Sequence, residues 1–104
     1  MRAHKIDANQ TEIISAFERL GCSVVDLSAV GRGCPDLMVS VHKVTVLVEV
    51  KTAAGTLEPS QIRFRRENKA WIEVARDMAD VERIVKAMKT RALQLWSFPQ
   101  KEIS

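Results

Sequence analysis

With 104 residues, of which 46% are hydrophobic and 28% are charged, the chain is expected to form one compact domain over residues 1–104, and its length excludes a second core. Sixteen Lys and Arg residues against thirteen Asp and Glu residues give a net charge of +3, a mild basic bias that is compatible with a polyanionic partner without establishing one. No apolar run reaches the roughly eighteen residues that a membrane-spanning helix needs, so no membrane insertion is expected.

The first part of the chain changes its apolar period several times, as in a mixed α/β domain. Apolar residues recur at helical spacing from about Asn9, and Gly21 supplies a C-terminal stop, which predicts a first helix. A short strand is predicted over 24–27, followed by a loop over 28–34 that carries two glycines. Those glycines are explained by turn formation as well as by a close backbone approach.

Two runs rich in β-branched residues, 37–41 and 44–50, predict an antiparallel hairpin. The two residues between them, His42 and Lys43, are not a favoured turn dipeptide, so the turn type stays open. If they are the central turn residues, position 41 pairs with position 44. Following the ladder back then pairs position 36 with position 49.

The second part of the chain continues the mixed pattern. Pro59 can occupy the first turn of a helix over 59–68, and a strand follows over 71–75, although no glycine marks the start of that strand. Apolar residues over 81–88 recur at i, i+3, i+4 and i+7, which predicts a third helix. An edge strand is expected over 93–98.

The strand predicted over 44–51 is nearly continuous in apolar residues but carries charged residues at its end. The run 44–51 reads as a central strand, yet it ends in Glu49 and Lys51. Period-two geometry puts these two residues on the same side, with Cα atoms about 6.5 to 7 Å apart, and the hairpin register puts Asp36 directly opposite Glu49. Two carboxylates that close repel each other unless they share a cation. Mg²⁺ is the expected ion, held by Asp36, Glu49 and the Val50 carbonyl.

Lys51 would add a third element to this site, because an ammonium group beside activated water can orient the nucleophile and offset the charge of the transition state. The alternative is that Glu49 and Lys51 form a surface ion pair and that Asp36 caps a turn after Pro35. The residue spacing alone leaves both interpretations open.

The spacing also resembles a known family. Pro35-Asp36, twelve intervening residues and Glu49-Val50-Lys51 resemble the core motif of the PD-(D/E)xK nucleases. The continuation over 51–57, with Gln61 on the next helix, resembles the VRR-NUC branch, the virus-type replication-repair nucleases, and is similar to Holliday junction resolvases. The resemblance implies an α/β fold with a restriction-endonuclease-like αβββαβ core, in which helices flank a central mixed sheet.

The resemblance also implies roles for individual residues. Asp36 and Glu49 would be metal ligands, Lys51 the catalytic lysine, Glu12 an outer ligand of the metal on the first helix, and Gln61 a residue beside the active site. Glu12 has an alternative, because Asn9 followed by Glu12 is nearly a capping box. For Gln61 the alternative is an exposed helix residue.

A basic run on the second helix is the expected DNA-binding surface, since Lys and Arg neutralise phosphates without reading sequence. An ordinary solvated helix face is the more common explanation. Trp71 and Trp96 are expected in the core or in a dimer interface, and His4 and His42 on the surface. The basic run consists of Arg63, Arg65, Arg66 and Lys69.

These expectations define an endonuclease dependent on Mg²⁺ or Mn²⁺ that hydrolyses phosphodiester bonds, with branched DNA such as a four-way junction as substrate and a homodimer as the active form. One alternative is a nuclease acting on linear or flapped DNA, for which no target-recognition domain is visible. Another is a non-catalytic DNA-binding module that retains the fold. Cys22 and Cys34 match no zinc spacing and no secretory segment is present, which predicts unpaired thiols in the cytoplasm of a bacterial or phage-infected cell.

Overall fold

The computed structural model describes residues 8–96, which form three helices and four strands. The order of these elements contains the predicted αβββαβ core and extends it by a final helix. Helix α1 begins close to the expected residue, and its end leads to Gly21, which takes a φ of 90°. The elements are α1 (Ala8–Arg19), β1 (Ser23–Asp26), β2 (Leu37–Val41), β3 (Val44–Val50), α2 (Pro59–Glu67), β4 (Ile72–Ala75) and α3 (Met78–Trp96).

The four strands form one mixed sheet in the order β1-β2-β3-β4. Strands β1, β2 and β3 are antiparallel neighbours, whereas β4 runs parallel to β3. Val41 pairs with Val44, and Leu37 pairs with Val48. The predicted hairpin register is therefore confirmed, and the next step along this ladder sets Asp36 against Glu49.

The hairpin turn forms despite its unfavourable residues. His42 has a φ of 51° and Lys43 a φ of 67°, so both central residues lie in the left-handed region, as a type I′ turn requires. This turn matches the twist of the flanking strands, and the apolar pattern of both strands fixes the two-residue loop. Strand pairing thus overrides the local preference of these two residues.

Helices α1 and α3 cover one face of the sheet. The apolar residues of β3 that face them, Val44, Val46 and Val48, are buried, because period-two geometry directs all three to the same side. The intervening residues, including Glu49, face the opposite side. The core between the two helices and the sheet contains Ile13, Ala16, Phe17, Leu37, Val39, Val81, Ile84, Val85 and Met88.

Helix α3 is longer than predicted, and the expected edge strand over 93–98 is wrong for residues 93–96, which belong to the helix. Residues 97 and 98 lie outside the described range. The physical reason is the helical spacing of buried residues, which continues from Val81 through Met88 to Ala92. Leu93 and Trp96 are consequently left on the exposed side of the helix. Within residues 8–96, no helix has the length and apolar content required to span a membrane.

The connection from α2 to β4 replaces the missing glycine with an asparagine. The Asn68 side chain accepts a hydrogen bond of 2.9 Å from the Ala70 N–H, an Asx turn that reverses the chain. Strand β4 begins at Ile72, one residue later than predicted. The Trp71 carbonyl nevertheless accepts a hydrogen bond of 2.9 Å from Leu47, and half-buried Trp71 packs against the core.

Candidate active site

Two carboxylates meet where β2 begins and β3 ends. Asp36 follows the buried Pro35 and directly precedes β2. Its Oδ2 atom accepts a hydrogen bond of 2.8 Å from the Val50 N–H, which orients the carboxylate across the hairpin. Glu49 lies beside it with only 4% of its surface exposed. The structure therefore brings together the two acidic residues that the sequence paired.

Burial sets the protonation of Glu49. Desolvation, a hydrogen bond with Asp36 and the negative charge of Asp36 raise the pKa of Glu49 from 4.5 to about 8, and Lys51 offsets only part of this rise. When Glu49 is ionised, its Oε1 atom is buried without a hydrogen-bond partner among the described residues. Protonation relieves this cost because the neutral carboxyl can share its proton with Asp36. The pair consequently favours either a proton or a bound cation.

Lys51 stands on the same sheet face as Glu49. Its Nζ atom lies 4.0 Å from Glu49 Oε2, and its side chain is 16% exposed. Its backbone is fixed on both sides, because the Lys51 N–H donates to the Ala75 carbonyl at 3.1 Å and Asn9 Nδ2 donates to the Lys51 carbonyl at 2.8 Å. The lysine is therefore held at the rim of the site by β4 and by α1.

Gln61 joins helix α2 to the carboxylate pair. Its Nε2 atom donates to Glu49 Oε2 at 3.0 Å, and its Oε1 atom accepts from the Glu58 N–H at 2.8 Å. Glu58 is the N-cap of α2, and Pro59 occupies the first turn. Gln61 is half-buried, so the alternative of a freely exposed helix residue is wrong. The sequence did not indicate that this residue also takes part in capping α2.

Glu12 lies on α1, exposed to solvent, one helical turn after Asn9. Asn9 is inside the helix, and its amide is engaged with Lys51. The near-capping box of Asn9 and Glu12 is therefore wrong, because a capping residue must stand just before the helix. Among residues 8–96, Glu12 makes no direct polar contact with the carboxylate pair.

The donor set suits a hard divalent cation. Asp36 and Glu49 supply carboxylate oxygens, and the buried Oε1 atom of Glu49 lacks a partner that a cation would provide. Within residues 8–96, no three His, Cys, Asp or Glu side chains are grouped as metal ligands. An ion held here would therefore complete its shell with water, backbone carbonyls or substrate oxygens, as Mg²⁺ does.

The predicted DNA-binding residues all lie on the outside of the molecule. Helix α2 has no buried residue, and its three arginines are exposed, as is Lys69 in the following loop. They do not contact the carboxylate pair, from which Gln61 separates them along the helix. The residues concerned are Arg63, Arg65, Arg66 and Lys69.

The glycine loop packs against the start of α2. Gly33 has a φ of 79°, and a Cβ atom added to it would come within 3.0 Å of the Gln61 nitrogen and closer still to the Ser60 carbonyl. A close backbone approach thus requires this glycine, which the sequence could not distinguish from turn formation. Cys34 follows it, and burial, together with the charges of Glu49 and Asp36, raises the pKa of its thiol.

A mixed sheet that carries two paired carboxylates and a lysine on one face, with helices on both sides, has the arrangement of a PD-(D/E)xK nuclease domain. A solved structure described as a VRR_NUC domain shares 32% sequence identity with this chain, with a TM-score of 0.61, and the alignment covers 74% of this chain and 89% of that one. The chain belongs to the VRR-NUC family of nucleases. Comparison with protein-family profiles and with curated proteins gave no match.

Proposed function

We propose that this protein is a divalent-metal-dependent endonuclease that hydrolyses phosphodiester bonds in DNA. The observation that carries the proposal is the unpartnered Oε1 atom of Glu49, buried beside Asp36 with Lys51 at the rim of the same site. A buried carboxylate oxygen without a hydrogen-bond partner destabilises the fold. A cation bound between Asp36 and Glu49 would remove this cost.

Asp36 and Glu49 would hold Mg²⁺ or Mn²⁺, with the Val50 carbonyl as a further ligand and Glu12 acting through water. Such an ion supplies Lewis-acid activation of water and of the phosphate. Hydrogen bonding from Val50 keeps Asp36 oriented before the ion arrives, and Gln61 does the same for Glu49. The protein therefore presents its oxygen ligands with little reorganisation.

Lys51 would act on the reacting groups themselves. Its side chain is only 16% exposed, so its charge is screened less than that of a surface lysine. It would orient the attacking water by hydrogen bonding and stabilise the negative charge that grows on the phosphate oxygens. Fixation of the Lys51 backbone by Asn9 and Ala75 holds the base of the side chain beside the site, which favours this placement.

Branched DNA, such as a four-way junction, is the proposed substrate, with a homodimer placing two active sites on one junction. The resemblance to Holliday junction resolvases supports this choice. The exposed basic residues of α2 would contact backbone phosphates on the same side of the sheet as Glu49, because Gln61 of that helix reaches Glu49. Contacts of this kind position the duplex without reading its sequence.

The test is cleavage of a labelled four-way junction and of a matched linear duplex, with Mg²⁺, Mn²⁺ or a chelator. Lys51→Ala is the catalytic variant, and Lys89→Ala, at an exposed lysine of α3, is its matched control. Paired cuts near the branch point, lost with chelator and in Lys51→Ala but kept in Lys89→Ala, are expected. Cutting of the linear duplex alone would refute junction specificity, and binding without cutting would leave a non-catalytic module.

A further inference from the structure

Arg76 lies beside Lys51 across the parallel strands. Val50 pairs with Ala75, and Glu49 pairs with Val74, so the next step along both chains brings Arg76 next to Lys51. Ala75 is buried in the core. Because side chains alternate along a strand, Arg76 continues on the face that carries Glu49 and Lys51.

Both ends of Arg76 are held in place. Its backbone N–H donates to Asp80 Oδ2 at 2.8 Å, which ties it to the first turn of α3. Its guanidinium Nη2 donates to the Gly55 carbonyl at 2.7 Å, and the residue is half-buried. A short hydrogen bond from a charged donor is stronger than a neutral one. Arg76 thus connects the start of α3 with the loop that follows Lys51.

That loop, residues 52–58, leads from Lys51 to the start of α2, the helix that carries Gln61. It contains a turn in which the Gly55 N–H donates to the Thr52 carbonyl at 3.1 Å. A Cβ atom added to Gly55 would lie 3.5 Å from Lys51 Cβ, so Gly55 lies next to the base of the lysine side chain. Movement of Gly55 would therefore be transmitted to Lys51.

Gln61 depends on the same loop. Helix α2 buries none of its residues, so core packing does not determine its position. The loop 52–58 leads into its N-cap, and the hydrogen bond from Gln61 to Glu49 lies just inside its first turn. The hydrogen bond from Arg76 to the loop consequently influences both Lys51 and Gln61, the two residues that reach Glu49.

We propose that Arg76 is a positioning residue of the active site, which holds the loop 52–58 through the Gly55 carbonyl and thereby keeps Lys51 and Gln61 directed at Glu49. The proposal rests on the proposed nuclease function, and it assigns Arg76 no contact with substrate. A displacement of about 1 Å in a catalytic group can reduce a rate about 100-fold.

The experiment compares Arg76→Met, which removes the donor and retains most of the side-chain volume, with Arg76→Lys, which retains a cationic donor. Arg83→Met is the matched control, because Arg83 also touches Asp80 at 3.6 Å but pairs with Glu73 and not with the loop. In Mg²⁺, kcat of Arg76→Met is expected to fall about 10- to 100-fold with KM nearly unchanged. Arg76→Lys should recover part of this loss, and Arg83→Met should resemble the wild type.

Amide hydrogen exchange in metal-free protein provides a readout that does not require activity. Arg76→Met should accelerate exchange over 52–62 while the sheet amides keep their protection. Unchanged kcat and exchange would overturn the proposal, as would a rise in KM alone, which indicates a direct contact with DNA. Loss of protection throughout the sheet in both Arg76 variants would make Arg76 a fold residue and would also overturn it. If the wild type cut no DNA, the proposed function would fail, and exchange over 52–62 would still decide whether Arg76 holds the loop.

Discussion

Glu49 is expected to make the stability of the metal-free protein fall as the pH rises. Its pKa is raised from 4.5 to about 8 in the folded state, chiefly by burial. Between these two values the folded protein retains a proton that the unfolded chain has released. The contribution of this group to stability is therefore complete below pH 4.5 and is lost as the pH rises through about 8.

The size of the effect follows from the same two pKa values. Each pH unit between them changes the free energy of unfolding by about 1.4 kcal/mol, so the loss between about pH 5 and pH 7.5 is about 3 kcal/mol. Glu49 is 4% exposed, which leaves solvent little opportunity to screen this loss. For a domain of about 100 residues, 3 kcal/mol corresponds to a Tm change of more than about 10 °C.

The assay is urea unfolding of wild type and Glu49→Gln at several pH values between about 5 and 8, with chelator present. The amide of the variant does not ionise, so the difference between the two proteins removes the contribution of titrating groups that do not interact with Glu49. We expect the wild type to lose about 3 kcal/mol relative to the variant across this range. If the free energy of unfolding changed with pH in the same way for both proteins, the raised pKa of Glu49 would be refuted.

Addition of Mg²⁺ at about pH 7.5 extends the same test. A ligand that binds only the folded state at 100 times its Kd adds about 2.7 kcal/mol to stability, and this gain should appear in the wild type but be much smaller in Glu49→Gln. Equal gains in both proteins would place the bound ion elsewhere.

Three further predictions concern stability and use the same urea assay. Replacing His42 by Asn together with Lys43 by Gly should add about 1 kcal/mol, because both positions have positive φ; an unchanged midpoint would contradict the strain inferred for this turn. Gly33→Ala should cost about 2 kcal/mol or more, because its methyl group overlaps the backbone at the start of α2. Gly31 has open space around it, so Gly31→Ala should cost only about 1 kcal/mol for its positive φ. An equal loss at both glycines would show that the positive φ, and not the overlap with α2, determines the loss of stability. Met88→Ala should cost about 2 to 5 kcal/mol, since Met88 is fully buried, and a loss below about 1 kcal/mol would indicate that the core collapses around the gap.

The sheet and the carboxylate pair could be predicted because both follow from regular spacing. Once two residues separate β2 from β3, the antiparallel ladder places position 36 against position 49 without further information. The same spacing placed Glu49 and Lys51 on one face. The burial of Glu49 could be inferred only in part, because an apolar strand that ends in charged residues is compatible with either a cleft or a solvent-exposed strand end.

The contacts that hold the site could not be predicted, because they join side chains to backbone across long separations. Asn9 reaches the Lys51 carbonyl over 42 positions, and Arg76 reaches the Gly55 carbonyl over 21 positions. Such contacts leave no periodic trace in one sequence. The edge strand was wrongly predicted for a related reason. Leu93 and Leu95 alternate with polar residues as in a strand, but the helical pattern of buried residues in α3 continues to Ala92 and determines the structure.

The position of α2 depends on the active site more than on the core. The helix buries no residue, and its firm contacts lie at its first turn, where Ser60 packs on Gly33 and Gln61 donates to Glu49. A hydrogen bond to an ionised carboxylate is about twice as strong as one to a neutral group. Ionisation of Glu49 would therefore strengthen the link from the site to α2. A cation bound as proposed would favour this ionisation and would also fix the helix that carries the exposed arginines. Gln61 would thus couple the proposed cation binding at the carboxylates to the position of the basic helix.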